Sequence, residues 1–130
     1  MYNVACAGPV ICATIVGVSA RDDNWGMENL YSNIPPPSVE EFFETLAASG
    51  RTCIERIVSH GHASAEDSWY DQEENEFVLL LKGAARLEYD DGAVQTLEPG
   101  DWLVIPPHRR HRVDWTLENT ETVWLAVHYK

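Results

Sequence analysis

Residues 76–111 read EFVLLLKGAARLEYDDGAVQTLEPGDWLVIPPHRRH, and the reading of this run decides the fold. Its apolar opening, Phe77-Val78-Leu79-Leu80-Leu81, has the length of a buried strand, and Gly83 separates it from a second strand over 84–89. Asp90-Asp91-Gly92 is a hairpin turn signal, followed by a strand over 93–97. Glu98-Pro99-Gly100-Asp101 makes another tight turn before a strand over 102–105. Working outward, 52–59 is β-branched and alternating, and 111–115 and 122–127 supply two more strands. Many short strands at regular spacing, broken by Gly and Pro, predict an all-β sandwich or barrel.

The segment ahead of these strands reads differently. Ile34-Pro35-Pro36-Pro37 is a stiff stretch that neither a helix nor a central strand can cross. Ser38-Val39-Glu40-Glu41 then has the pattern of a capping box, with Phe42, Phe43, Leu46 and Ala47 as an apolar stripe and Gly50 as the stop. These signals predict one short helix over about 39–49. Residues 1–37 form an N-terminal extension or arm, and 38–130 the barrel domain. The apolar stretch 4–20 ends Val18-Ser19-Ala20 but lacks a preceding positive charge and is interrupted at Gly8-Pro9. Met27 is an alternative start.

A chain of 130 residues supports one domain with a real core. A net charge of −12 argues against nucleic acid or an anionic membrane as partner. Arg109, Arg110 and Arg112 are a basic exception; they read as a solvated strand end or as a clamp for a carboxylate or phosphate. Cys6, Cys12 and Cys53 have no metal-type spacing, and reduced thiols in a cytoplasmic setting are the simplest expectation. No nucleophile elbow, phosphate loop or dinucleotide fingerprint is present.

Glu76 with Gly83 seven positions on, then Gly100, Pro106 and His111, resembles the two-part signature of the cupin superfamily. Glu55-Arg56-Ile57-Val58-Ser59, Trp69-Tyr70-Asp71-Gln72, His111-Arg112-Val113 and 124–128 resemble a small bacterial subgroup often labelled sugar-phosphate isomerase-like. The resemblance covers residues 50–129 and implies a double-stranded β-helix barrel, with the short helix outside it. It also implies pairing of two copies into a homodimer. The two histidines usual before the motif glutamate are absent; their positions fall on Trp69 and Asp71. His108 stands where the family often has glycine.

A histidine pair one residue apart does occur, at His60 and His62 with Glu66 after it, but no glycine follows at the required spacing. Carried over position by position, the resemblance yields a metal set of Asp71, Glu76 and His111, with His62 as an additional ligand from the loop. Such a set suits manganese, iron, nickel or zinc. Strand alternation puts Trp69 and Asp71 on one face and Tyr70 and Gln72 on the other. Trp69, Gln72, Trp115 and His128 are the remaining pocket candidates. Two functional classes follow: a metal-dependent protein or enzyme acting on a small sugar derivative or carboxylate, and a metal-free module that holds a small ligand without catalysis.

Overall fold

The computed structural model describes residues 26–130, which fold into eight strands with no helix among them. The strands are β1 (Phe42–Ser49), β2 (Thr52–Ser59), β3 (Asn75–Lys82), β4 (Ala85–Tyr89), β5 (Val94–Leu97), β6 (Trp102–Ile105), β7 (His111–Thr116) and β8 (Thr122–Tyr129). All pairings between neighbours are antiparallel. One sheet has the order β1-β2-β8-β3-β6 and the other β5-β4-β7. This is the two-sheet β-barrel that the turn spacing predicts.

The register explains what lies inside. Glu76 of β3 stands opposite His128 of β8, which stands opposite Cys53 of β2. One row further along are Val78, Ala126 and Glu55, and then Leu80, Trp124 and Ile57. Because side chains alternate along a strand, these rows share the inner face. The apolar rows supply the core: Val78, Leu80 and Trp124 pack with Ala85, Leu87, Leu97 and Ile105 from the other strands. The row at the other end is polar and surrounds the barrel mouth.

The expected helix over 39–49 is not formed; most of that span is the edge strand β1, paired with β2 from Phe42↔Val58 to Ser49↔Thr52. The residues of the expected capping box are engaged otherwise. The Ser38 carbonyl accepts from His62 Nε2 at 2.9 Å, and the Glu41 carboxylate takes the Ser59 hydroxyl. Gly50-Arg51 closes a two-residue hairpin loop instead of ending a helix. A register shift between Thr45 and Ala47 lets the strand bulge, so its apolar residues need not alternate strictly. Pairing to an existing sheet here outweighs local capping preference.

Two further details position the site. Arg56 is 5% exposed on the outer face of β2. It donates to the carbonyls of Leu30 at 3.1 Å and Ser32 at 2.7 Å, fastening the described part of the arm onto its own sheet. Cys53, also buried, is disulfide-bonded, which corrects the expectation of reduced thiols at that position.

Gly83, between β3 and β4, has φ +87°, and a Cβ there would come within 2.8 Å of the Thr122 Cα. Gly92 has nearly the same φ, +86°, with nothing within 4 Å. Gly83→Ala should therefore cost roughly 2–4 kcal/mol, combining backbone strain with a clash against main chain. Gly92→Ala should cost only about 1 kcal/mol, the left-handed penalty alone. Chemical denaturation of the two variants checks this, and equal losses would refute the close-approach argument.

Candidate functional site

Glu76 is the centre of the barrel mouth. It is 8% exposed, so its charge must be met by protein. Oε2 accepts from the Gln72 amide at 2.8 Å and lies 3.4 Å from His111 Nε2. Oε1 lies 3.9 Å from His128 Nε2, which is itself 2.9 Å from Glu55 Oε1. Burial would raise the Glu76 pKa, but the His111 bond, the His128 charge and the Gln72 bond together hold it below the ordinary value. Burial works against a charged His128 ring, yet the Glu55 bond and the charges of Glu76 and Glu55 lift its pKa. Glu55, His128, Glu76 and His111 thus form one buried polar chain across three strands and β7.

The tautomer of His111 follows from geometry. Its Nδ1 is 2.8 Å from the Arg109 carbonyl, and a carbonyl only accepts, so Nδ1 carries a proton. Any proton that His111 exchanges is exchanged at Nε2, beside Glu76. The ring is held from its other side by Tyr70, whose backbone pairs with His111 through N–H to O bonds of 2.7 and 3.2 Å. The Tyr70 and His111 ring centroids are 5.5 Å apart.

That pairing also sets which residues of 69–72 face the cleft. Tyr70 and Gln72 line it, and Trp69 and Asp71 do not. Alternation is as expected, with the face that carries Tyr70 and Gln72 turned inward. Asp71 Oδ1 pairs with His108 Nδ1 at 2.8 Å, both side chains well exposed. His108 adopts φ +60° to do so, the left-handed conformation for which glycine is the usual residue. Trp69 lies against the guanidinium groups of Arg110 and Arg112, 5.9 and 5.7 Å from its ring centroid. Trp115 sits on β7 opposite Arg86 and does not line the cleft. His128 is buried behind Glu76, in contact with the site through that carboxylate.

The cleft walls are mostly apolar: Phe43, Ile57, Val78, Leu87, Ile105, Val113 and Trp124 accompany the polar Glu41, Tyr70, Gln72, Glu76 and His111. About 40 Å³ is open to the centre of a water-sized sphere. At ~10–15 Å³ per water centre, that is room for about three waters or an organic molecule of about five heavy atoms. Tyr70 is pushed up to about 12, chiefly by burial and against a hydrogen bond with Ser64, so its hydroxyl keeps its proton. Among the described residues no arginine or lysine lines the cleft. Each member of the arginine cluster faces a carboxylate: Arg109 meets Asp91 at 2.9 Å, Arg110 meets Asp90 at 3.9 Å, and Arg112 Nε donates to Glu88 at 2.8 Å.

The expected metal set can be tested against these contacts. A divalent transition ion needs several converging lone pairs, and of the expected ligands among the described residues only Glu76 and His111 converge. Asp71 is turned to His108. His62 accepts from the His60 amide at 2.8 Å through Nδ1 and donates to the Ser38 carbonyl through Nε2, so both its nitrogens are engaged. Gln72 offers Glu76 an N–H donor, not a lone pair. Among the described residues no group of three His, Cys, Asp or Glu could hold a metal ion. The residues present do not fit a resident three-ligand metal.

Three residues of the site escape the sequence reading. Glu41 is spent there on a helix cap, and Tyr70 is placed only as a face-mate of Gln72. Glu55 carries a usable signal, because it occupies an inward position between Cys53 and Ile57 on an alternating strand.

A strand pair holding the glutamate, a β7 histidine facing it and glycine at the first turn together fit one known family, whose model, described as "Cupin domain", matches residues 55–128. The chain belongs to the cupin family. This cupin is 41% identical to a crystallised protein of Ralstonia eutropha JMP134 named "putative mannose-6-phosphate isomerase", with a TM-score of 0.77 over 80% of this chain and 97% of that one. A cupin superfamily protein of Desulfitobacterium hafniense DCB-2 matches with 22% identity and a TM-score of 0.61 over 74% of this chain and 83% of that one. A Klebsiella pneumoniae protein with a double-stranded β-helix domain matches with 15% identity and a TM-score of 0.66 over 79% and 88%. The last two show the shared fold. No curated protein matches the cupin chain. No helix among the described residues is long and apolar enough to cross a membrane.

The depressed pKa of Glu76 has a stability consequence with a definite sign. A carboxyl whose folded pKa lies below its unfolded value stabilises the fold above the unfolded value, and this is lost as pH falls through the folded one. The cupin should lose melting temperature as pH drops below the ordinary glutamate value of 4.5. Glu76→Gln should flatten that acid limb. Parallel acid limbs in the two proteins would show that Glu76 is not the group responsible.

Proposed function

We propose that this cupin is a metal-free binding protein for a compact organic molecule, seated in the barrel mouth with its polar group on Glu76 and His111. The observation that carries this reading is the pairing of His111 Nε2 with Glu76 Oε2, 3.4 Å apart, on the polar side of a cleft with otherwise apolar walls. Apolar walls with a few convergent polar groups are the ordinary make-up of a small-ligand site. Glu76 accepts, and His111 exchanges a proton at Nε2. The same pair can act as acid and base on a bound hydroxyl or carbonyl group, so the reading covers binding alone and binding with proton transfer.

The activity named for the Ralstonia eutropha relative concerns a sugar phosphate. A phosphate asks for cationic groups aimed at it; among the described residues the lining contains no lysine or arginine, and Arg109, Arg110 and Arg112 face carboxylates. An uncharged or singly polar ligand suits the lining better.

Two measurements test the reading. Protein prepared without a metal-affinity tag, incubated with manganese, iron, nickel and zinc and then freed of unbound ion, should hold well below one ion per chain. Stoichiometric metal that disappears in a folded His111→Ala variant would overturn the metal-free reading. Titration with propan-1-ol, followed by the indole N–H resonance of Trp124, should give a saturable shift that a cleft-filling Ile105→Trp change abolishes. A shift unaffected by Ile105→Trp would place the alcohol elsewhere.

A further inference from the structure

Glu41 lines the same cleft as Glu76 but comes from the segment just before β1, outside the run of residues on which the family likeness rests. Its anchorage is well defined. The Trp124 indole N–H, which can only donate, gives its proton to Ser59 Oγ at 3.1 Å. Ser59 is fully buried, and its own hydroxyl proton goes to Glu41 Oε2. With Oε2 engaged in this way, a proton on the Glu41 carboxyl rests on Oε1.

The segment that carries Glu41 is itself fastened. His60 Nε2 donates to the Pro35 carbonyl at 3.2 Å and His62 Nε2 to the Ser38 carbonyl at 2.9 Å. Arg56 holds the carbonyls of residues 30 and 32 upstream. The three prolines between these anchors stiffen the path. Glu41 is therefore held in the cleft from both sides of the segment, and its placement is not that of a mobile surface carboxylate.

Among the described residues the lining holds no lysine or arginine to meet a second negative charge, and its histidine, His111, already faces Glu76. Phe43 and Ile57 flank Glu41, and the other ionisable neighbours are Glu55, Tyr70 and His62. Burial raises the Glu41 pKa, with the Ser59 bond only partly opposing it. Glu76, held by two histidines and an amide, shifts the opposite way. Two carboxyls in one cleft with environments that push them apart take opposite hydrogen-bonding roles.

We infer that Glu41 is a ligand-reading residue that donates a hydrogen bond to a carbonyl oxygen, while Glu76 and His111 receive a hydroxyl, so that the cleft selects small compounds that carry both a hydroxyl and a carbonyl group. This rests on the binding reading above and adds the ligand class to it. It also assigns a specificity role to a residue of the chain's leading segment.

The test uses three probes of nearly equal size: hydroxyacetone, propan-1-ol, which lacks the carbonyl, and acetone, which lacks the hydroxyl. Affinities are read from the Trp124 indole resonance in the full chain. Wild type should bind hydroxyacetone about tenfold more tightly than either analogue, the discrimination one additional hydrogen bond gives. Glu41→Gln, whose amide still donates, should keep that preference. Glu41→Ala, and the fuller Glu41→Met should the first variant not fold, should bind hydroxyacetone no better than propan-1-ol. Wild type that binds propan-1-ol but shows no preference for hydroxyacetone would overturn the inference and leave the binding reading standing. So would a preference that survives Glu41→Ala or Glu41→Met, or one lost in Glu41→Gln. Failure of wild type to bind any of the three probes would overturn both.

Discussion

An ionised carboxylate inside a β-barrel is stable only when its lone pairs are met, and the rest of this molecule is arranged around meeting those of Glu76. The register that puts Glu76 beside His128 is the same register that puts Val78 and Leu80 into the core. The bridge between Tyr70 and His111 that carries Gln72 to Oε2 also brings the histidine ring over the cleft. A one-residue slip on β3 would turn both the carboxylate and the core residues outward. Folding and site formation are thus a single event in this barrel.

Behind Glu76 the polar chain continues to His128 and Glu55, both essentially inaccessible to water. Ala126 lies between them in the sheet, and its small side chain leaves the space in which the glutamate and the imidazole meet diagonally. A buried pair of this kind contributes little net stability, but removing one partner strands the other. Its effect is on charge: the Glu55 bond lifts the His128 pKa, and the His128 charge helps hold that of Glu76 down against burial.

Much of this was legible in the sequence wherever local chemistry and pairing agree. The turns at 90–92 and 98–101, the strand break at Gly83 and the meeting of Glu76 with His111 follow from Gly, Pro and Asp placement and from the likeness to the family signature. Legibility failed where two local rules compete. Residues 38–50 carry the marks of a capped helix, yet the open edge of β2 offered more hydrogen bonds than one isolated helical turn and won. At 69–72 the alternation was correct, but its phase depends on which residue pairs with His111, a contact 41 residues distant in sequence. Asp71 therefore faces His108, and Gln72 fills the space beside Glu76. Glu55 stood in plain view as a charge on an inward position, but its partner His128 is 73 residues away.

The position of Glu41 has a consequence for how such cupins diversify. The stretch matched by the family model begins at residue 55, after the segment that brings Glu41 over the mouth. The floor of the cleft, Glu76 and His111, is built by strands whose register the core enforces, so it can change only at a cost to folding. The rim is delivered by a proline-stiffened lead tied down through main-chain carbonyls, and carbonyls are supplied by any residue. Sequence there can drift freely as long as the ties from Arg56, His60 and His62 persist. One barrel can in this way be refitted for new ligands by rewriting a dozen residues that never touch its core.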